Sequence, residues 1–329
     1  MVAGVGLLES IVLPDAAGGA TGASPAGGHA NTSRRKLLSI WGKFLATMPV
    51  WNAACSFEHQ LKWIAFYGER ADEKLLSSYD IVVLDPAFRG SIDAVGDSGA
   101  IVCAYLSLGE ISKSNRFFGH IERAALLDEN PAWPGTYRID VRQPSWKRLV
   151  LGEIVPYLVG RGFAGLMLDT LDTPPYLEQL DPGGNRGMRQ AATDLVKSIR
   201  KNCHNLFLIV NRGYAMISAM AGSIDAILTE SLLTSRGPAG GYRWNSWAEV
   251  ALQLSFVGPV RNRRPQLPIL SLDYWDPDDV GMVREIYRRE RLLGHSPYVA
   301  TEMLNVVFPE PPPNHAQPHS RPLHRLARR

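Results

Sequence analysis

Short apolar runs recur along the middle of the chain, most of them separated by stretches with a helical period. Eight stand out: Trp63 to Tyr67, Ile81 to Leu84, Ile101 to Leu106, Gly165 to Leu168, Leu206 to Val210, Ala226 to Thr229, Pro268 to Leu272, and Pro297 to Ala300. Their apolar character is continuous, without polar alternation, which suits parallel strands covered on both faces. Between them the period changes. Met188, Ala192, Leu195 and Ile199 form one helical stripe, and Trp146, Leu149, Ile154 and Leu158 form another that stops before Gly160. Val280, Val283 and Tyr287 mark a third buried face, with Asp276-Pro277 read as its N-cap and first-turn proline and Gly294 as its end. No repeat of fixed length appears, which argues against a solenoid. Strands alternating with helices over roughly 250 residues predict an α/β fold, a single-domain (β/α)8 TIM barrel spanning 56–305.

In such a barrel the C-terminal strand ends carry the functional face. The residues directly after the runs include Gly68, Asp85, Asp169, Asn211, Glu230 and Asp273, with Glu110 shortly after the third run and Glu302 after the eighth. A ring of acids at one rim costs electrostatic energy, and core packing has no use for it. Helix capping accounts for any one of them as well as function does, and Asp85 before Pro86 is a good case. It does not account for the set.

Asp169 and Glu230 each directly follow a buried run, so both are expected to be stiff and partly desolvated. Two such carboxylates meet the need of glycosidic cleavage, in which one protonates the leaving oxygen and the other acts as nucleophile or as base for water. Burial beside another carboxylate is expected to raise the proton affinity of Glu230, leaving Asp169 ionised. Asp85 and Asp273 are then further sugar contacts on the rim. Tyr67, Tyr105, Tyr176, Trp244 and Trp275 fall at run ends or in loops where a ring could stack on a sugar, although packing is the commoner role for each. An acid-rich rim also suits a cationic amino-sugar polysaccharide as partner.

The 329 residues are 45% hydrophobic and 20% charged, a globular composition, and their net charge is only +3. That balance argues against a nucleic-acid partner, and no obligate protein partner is predicted. Cys55, Cys103 and Cys203 lack the number for a disulfide framework and the spacing for zinc. Cys103 reads as a buried thiol, with a Cys103 to Cys203 bridge as the alternative. Neither His-Glu-x-x-His nor Gly-x-Ser-x-Gly occurs, so no metal, cofactor or serine nucleophile is predicted. The stretch from Gly183 to Gly187 reads as a plain loop in preference to an anion site.

The ends of the chain have a different composition. Residues 1–33, rich in Gly, Ala and Ser, are expected to be disordered. Residues 34–55 have the order of an export signal: the Arg34-Arg35-Lys36 cluster, an apolar stretch, then Ala53-Ala54-Cys55. The arginine pair resembles a twin-arginine signal, which predicts a periplasmic or extracellular protein. Cleavage near Ala54 is the simple reading, with lipidation at Cys55 and a packed amphipathic helix over Leu37 to Trp51 as the others. Residues 306–329, rich in proline and then basic, are expected to be a disordered tail in which His315, His319 and His324 are solvated.

Five ordered motifs carry a family likeness: Tyr105-Leu106-Ser107-Leu108-Gly109-Glu110, Leu168-Asp169-Thr170-Leu171-Asp172, Asn211-Arg212-Gly213-Tyr214, Thr229-Glu230-Ser231-Leu232, and Gly294-His295-Ser296-Pro297-Tyr298-Val299. Together they resemble the endo-α-1,4-polygalactosaminidase group, glycoside hydrolase family 114 with the similar hydrolase domain of the Pel biofilm polysaccharide system. The resemblance implies a (β/α)8 barrel, cleavage of α-1,4-linked galactosamine and N-acetylgalactosamine polymers, and no metal. It places the family's acidic pair on Asp169 and Glu230, and implies that Glu110, Asp172, Asn211 and Arg212 shape the sugar site. The expected reaction is retaining, with Asp169 as nucleophile and Glu230 as acid/base. A binding barrel without turnover and a hydrolase for another glycan are the competing readings.

Overall fold

The computed structural model describes residues 60–312 apart from Ala239. The expected extension at 1–33, the export segment at 34–55 with Cys55, and the tail from residue 313 lie outside the described residues.

The eight apolar runs become eight parallel strands: β1 (Trp63–Phe66), β2 (Ile81–Leu84), β3 (Ile101–Ser107), β4 (Gly165–Asp169), β5 (Phe207–Asn211), β6 (Ala226–Glu230), β7 (Ile269–Tyr274) and β8 (Ser296–Ala300). They pair in that order into one sheet that curls into a barrel. The last seam, between β8 and β1, is closed by side chains. Trp63 Nε1 donates to Ser296 O at 2.7 Å, Leu61 N donates to Ser296 Oγ at 3.1 Å, and the Trp63 ring meets Tyr298 edge-on at 5.8 Å. Register sets the height of the functional rim, for Ser107 pairs with Asp169, and Leu272 with Glu230.

The helices in chain order are α1 (Glu73–Leu76), α2 (Ile92–Gly96), α3 (Pro144–Leu149), α4 (Val155–Gly160), α5 (Thr173–Leu180), α6 (Met188–Asn202), α7 (Ile217–Met220), α8 (Trp247–Arg263) and α9 (Val280–Leu292). The α6 stripe is buried as its period predicts. In the second stripe Leu149 and Ile154 are five residues apart, one too many for a regular helix, and a π turn over Val150–Ile154 absorbs the excess between α3 and α4. The third stripe starts later than expected. Asp279 caps α9 by accepting from Met282 N at 3.2 Å, while Asp276 accepts from Asp278 N in the preceding turn, and Val280 is exposed. Gly294, at φ 74°, ends it in the left-handed conformation that glycine takes at no steric cost.

Two additions interrupt the β/α alternation. After β3, strands Glu110–Ser112, Leu126–Glu129 and Thr136–Ile139 form a small antiparallel sheet, and after β6 a hairpin joins Thr234–Arg236 to Tyr242–Trp244. Three departures from expectation follow from packing. Residues 306–312, read as part of a disordered tail, lie along α9: Arg291 pairs with Glu310 at 2.5 Å and Arg284 Nε donates to Pro312 O at 2.9 Å. Cys103 and Cys203 are both free thiols, Cys103 fully buried. The loop at Gly183 and Gly184 is filled by the Asp181 carboxylate, which accepts from both backbone N–H groups at 3.1 and 2.9 Å, as a plain turn would be.

Candidate active site

Side chains alternate along a strand, so the last inward residue of each barrel strand points into the mouth. On β4, β5 and β6 these residues are Asp169, Asn211 and Glu230, all nearly inaccessible to solvent. Asn211 joins the other two. Its Nδ2 donates to Asp169 Oδ1 at 2.8 Å and to Glu230 Oε2 at 2.6 Å. Only the amide nitrogen has two hydrogens to give, and this fixes the orientation of the amide. Its Oδ1 is left buried with no protein donor. Glu230 Oε1 accepts from the Tyr274 hydroxyl at 2.5 Å.

Each of these three strands turns sharply after its functional residue. Thr170, Arg212 and Ser231 have φ of 57°, 52° and 55°, a left-handed conformation that non-glycine residues seldom adopt. The same kink three times over, beside the same three side chains, is strain held at a site. Local bonds hold it. Thr170 Oγ1 accepts from Gly109 N at 2.8 Å, and Leu108 N donates to Asp169 O at 3.0 Å. Gly109 has to be glycine there, since a Cβ would lie 2.3 Å from Thr170 O. Arg212 pairs with Asp172 at 2.9 Å, and Ser231 N donates to Leu272 O at 2.8 Å.

The electrostatics of the pair differ from the sequence expectation. Burial, and then the charge of Glu230, push Asp169 up to about 7, against donors at Thr170 N, Asn211 and Tyr105 that favour its ionised form. Asp169, expected to stay ionised, is thus an acid of raised proton affinity. The Tyr67, Tyr105 and Tyr274 hydroxyls lie far above their ordinary range, through burial first and then through the nearby carboxylates, so they remain protonated donors. Tyr67 and Tyr105 meet edge to face at 5.2 Å.

The remaining expected residues divide between the mouth and its supports. Asp85 both caps the turn after β2, accepting from Ala87 N at 2.6 Å, and lines a cavity running from Tyr105 along β3 towards Trp146 and Tyr157. Glu110 borders the same cavity, but its carboxylate is engaged by Asn130 at 3.0 and 3.1 Å and by Thr173 at 2.8 Å, which anchors the loops after β3 and β4. Trp275 packs with Tyr242 and Trp244 at 6.2 and 5.9 Å on the opposite rim, all three partly exposed. Tyr176 instead lies under the Arg138 guanidinium.

Asp273 is a correction. It lies on the helix-facing side of β7, 1% exposed, where its Oδ1 accepts from Leu233 N and Thr234 N at 2.9 and 2.8 Å. The strand extends two residues beyond the run read from sequence, so alternation turns Asp273 outward and Tyr274 inward. Tyr274 is the residue the sequence reading missed. Its aromatic, strand-favouring side chain two positions after Leu272 was the available signal.

The assembled mouth holds two carboxyl groups bridged by one amide, ringed by phenols and closed below by the barrel core. Over residues 45–312 the chain matches the profile of glycoside-hydrolase family GH114. The chain belongs to that family. Among solved structures it is similar to the glycoside hydrolase domain of PelA from Pseudomonas aeruginosa, with 27% identity and a TM-score of 0.66 over 75% of this chain and 96% of that one. Ega3 from Aspergillus fumigatus, solved in complex with galactosamine, has the same fold at 13% identity and a TM-score of 0.58 over 75% and 93%. An uncharacterised protein of Thermotoga maritima is 22% identical over 258 residues, 70% of this chain and 77% of that protein. The GH114 chain described here is thus a glycoside hydrolase by family and a TIM barrel by fold.

Proposed function

We propose that this hydrolase cleaves α-1,4-linked galactosamine and N-acetylgalactosamine polymers with retention, Asp169 acting as nucleophile and Glu230 as acid/base. The observation that carries the reading is the shared Asn211 amide. Because one nitrogen touches both acids at 2.8 and 2.6 Å, their bridged oxygens are at most about 5.4 Å apart. Retaining enzymes separate the two groups by about 5–5.5 Å, and inverting ones by about 6.5–9.5 Å to admit a water.

The roles follow from the partners. Part of what raises Asp169 is the charge of Glu230, so once Glu230 holds the proton the three donors at Asp169 favour its ionised form, which can attack the anomeric carbon. Glu230 faces the Tyr274 hydroxyl, which can turn from donor to acceptor when Glu230 holds a proton. In the first step Glu230 gives its proton to the glycosidic oxygen as the C–O bond breaks and Asp169 bonds to the anomeric carbon. In the second, water attacks that carbon, Glu230 takes the water's proton, and Asp169 leaves. On this reading the partner is a cationic amino-sugar polysaccharide, for which the acids of the rim are suited, and Ega3's galactosamine complex is a further support for that class. Export belongs to the same proposal, on the Arg34-Arg35 signal; wild-type protein retained in the cytoplasmic fraction would remove that part.

The test is to incubate the full chain with partly deacetylated α-1,4-galactosaminan and with neutral α-glucans and to weigh the products. Shortening of the galactosaminan alone is expected, with Asp169→Asn and Glu230→Gln each slowing it by about a thousandfold or more while the circular dichroism is unchanged. Shortening of the glucans alone removes the substrate claim, and binding without cleavage removes the catalytic one.

A further inference from the structure

Behind β7, on the far side of the barrel wall from the catalytic pair, three titratable side chains are sealed from solvent. Asp273, Glu290 of α9 and His295 are 1%, 0% and 1% exposed. His295 Nδ1 lies 2.6 Å from Glu290 Oε2, and Asp273 Oδ1 takes three donors from the hairpin after β6. What remains is unusual. Asp273 Oδ2 and Glu290 Oε1 are buried without a donor at ordinary geometry apart from the Ser271 hydroxyl beside Glu290, and the Asp273 and Glu290 carboxyl groups are within bonding reach of each other. Ionised carboxylates have only acceptors to offer, so this contact forms a bond only if one of the two carries a proton. Among the described residues no three such side chains are placed to hold a metal ion.

We propose that Asp273 and Glu290 share one proton, and that this carboxyl pair is a positioning device for Glu230. The route is short. Asp273 Oδ1 accepts from Leu233 N and Thr234 N at 2.9 and 2.8 Å, and the Thr234 hydroxyl shares its one hydrogen between Asp273 Oδ1 at 3.1 Å and Tyr274 O at 3.0 Å. Thr234 Oγ1 accepts in turn from Tyr274 N at 3.2 Å, and the Tyr274 hydroxyl holds Glu230 Oε1 at 2.5 Å. The segment being held starts at Ser231, whose φ of 55° means that it does not rest there by preference. A lost proton sets two buried negative charges against each other behind that segment.

The groups facing the pair agree with one shared proton. Burial pushes Glu290 up to about 7 and Asp273 well up, the latter also through Glu290. Burial and Arg261 push His295 down to about 3, so its ring is neutral and donates to Glu290. Arg261 of α8, which donates to Leu293 O at 2.6 Å, is the cation felt by His295, and the Tyr214 phenol on the β5–α7 connection is uncharged.

The inference about catalysis rests on the hydrolase reading; the shared proton does not, and the two are measured separately. Infrared difference spectra of the full chain at neutral pH are expected to show a protonated-carboxyl C=O band that Glu290→Gln removes. Melting temperature is expected to fall between about pH 4.5 and 7, the interval from the ordinary Glu290 value to the folded one, where the folded chain binds more protons than the unfolded, and to fall less in Glu290→Gln, whose amide keeps the bridge. With a cleavable galactosaminan, Glu290→Ala and Thr234→Val should lower kcat by about tenfold to a hundredfold with KM little changed, and Glu290→Gln should restore most of the loss. Thr234→Val keeps both buried acids in place and removes the Thr234 hydroxyl that links Asp273 to Tyr274, so it decides the matter if Glu290→Ala fails to fold. An absent carboxyl band with unchanged pH dependence in Glu290→Gln overturns the shared proton, and wild-type kcat in a folded Thr234→Val overturns the positioning role.

Discussion

Asp169 shows how a single residue trades stability for chemistry. Burial, then the neighbouring Glu230, raise it from 3.8 to about 7. Between those values the folded chain binds more protons than the unfolded one, so stability falls as pH climbs through the interval, and the full penalty is present above it. Asp169→Asn removes the charge but keeps an oxygen for Asn211. We expect it to raise the melting temperature by several degrees at pH 8 and by little at pH 4, with activity lost at both. Melts at the two pH values check this, and an equal shift at both would show that the charge is not the source. Thr170, Arg212 and Ser231 belong to the same trade, each held in a left-handed conformation by a neighbour beside a functional strand end.

For a single element the decisive quantity is where a strand ends, because one residue reverses which side chains face inward. β7 shows it best. Its apolar run stops at Leu272, which made Asp273 look like a rim acid, yet ladder pairing with β8 continues to Tyr274 and Ala300. Pairing with a neighbour decides that extension, and hydropathy does not carry it. Asp169, Asn211 and Glu230 were legible because their strands end in polar residues of the right parity after a buried run. The sheet inserted after β3 was not, since strands of three or four residues leave too short a period to read. Neither was the proton balance of the pair, which depends on donors from three separate strands and loops. The test of the corrected register is Tyr274→Phe. It removes only the hydroxyl on Glu230 and is expected to lower kcat by about ten- to a hundredfold with KM little changed, while Asp273→Asn should act more on stability. Unchanged kcat in Tyr274→Phe would place the working phenol elsewhere.

Across the whole molecule the charge is nearly balanced, +3 over 329 residues, but unevenly laid out. The outer helix α9 carries Arg284, Arg288, Arg289 and Arg291, of which Arg289 lies 4.4 Å over the Trp244 ring, whereas the rim of the mouth exposes Asp276 and Asp278 beside the Tyr242, Trp244 and Trp275 rings and has the half-buried Asp85 elsewhere on it. A polycation approaching the strand ends therefore meets negative charge and aromatic faces before it reaches Asp169 and Glu230. Exposed charges are screened over about 10 Å at 0.1 M salt, so that attraction weakens steadily as salt is added. The buried carboxyl pair is screened far less. On the amino-sugar reading, KM for a largely deacetylated galactosaminan should rise several-fold between low salt and about 0.5 M while kcat holds. A fully N-acetylated polymer has no ammonium groups to steer, and its KM should stay nearly constant over the same range. Initial rates on the two polymers across a salt series separate the contributions, and an identical salt response for both would mean that the rim acids do not recruit the substrate.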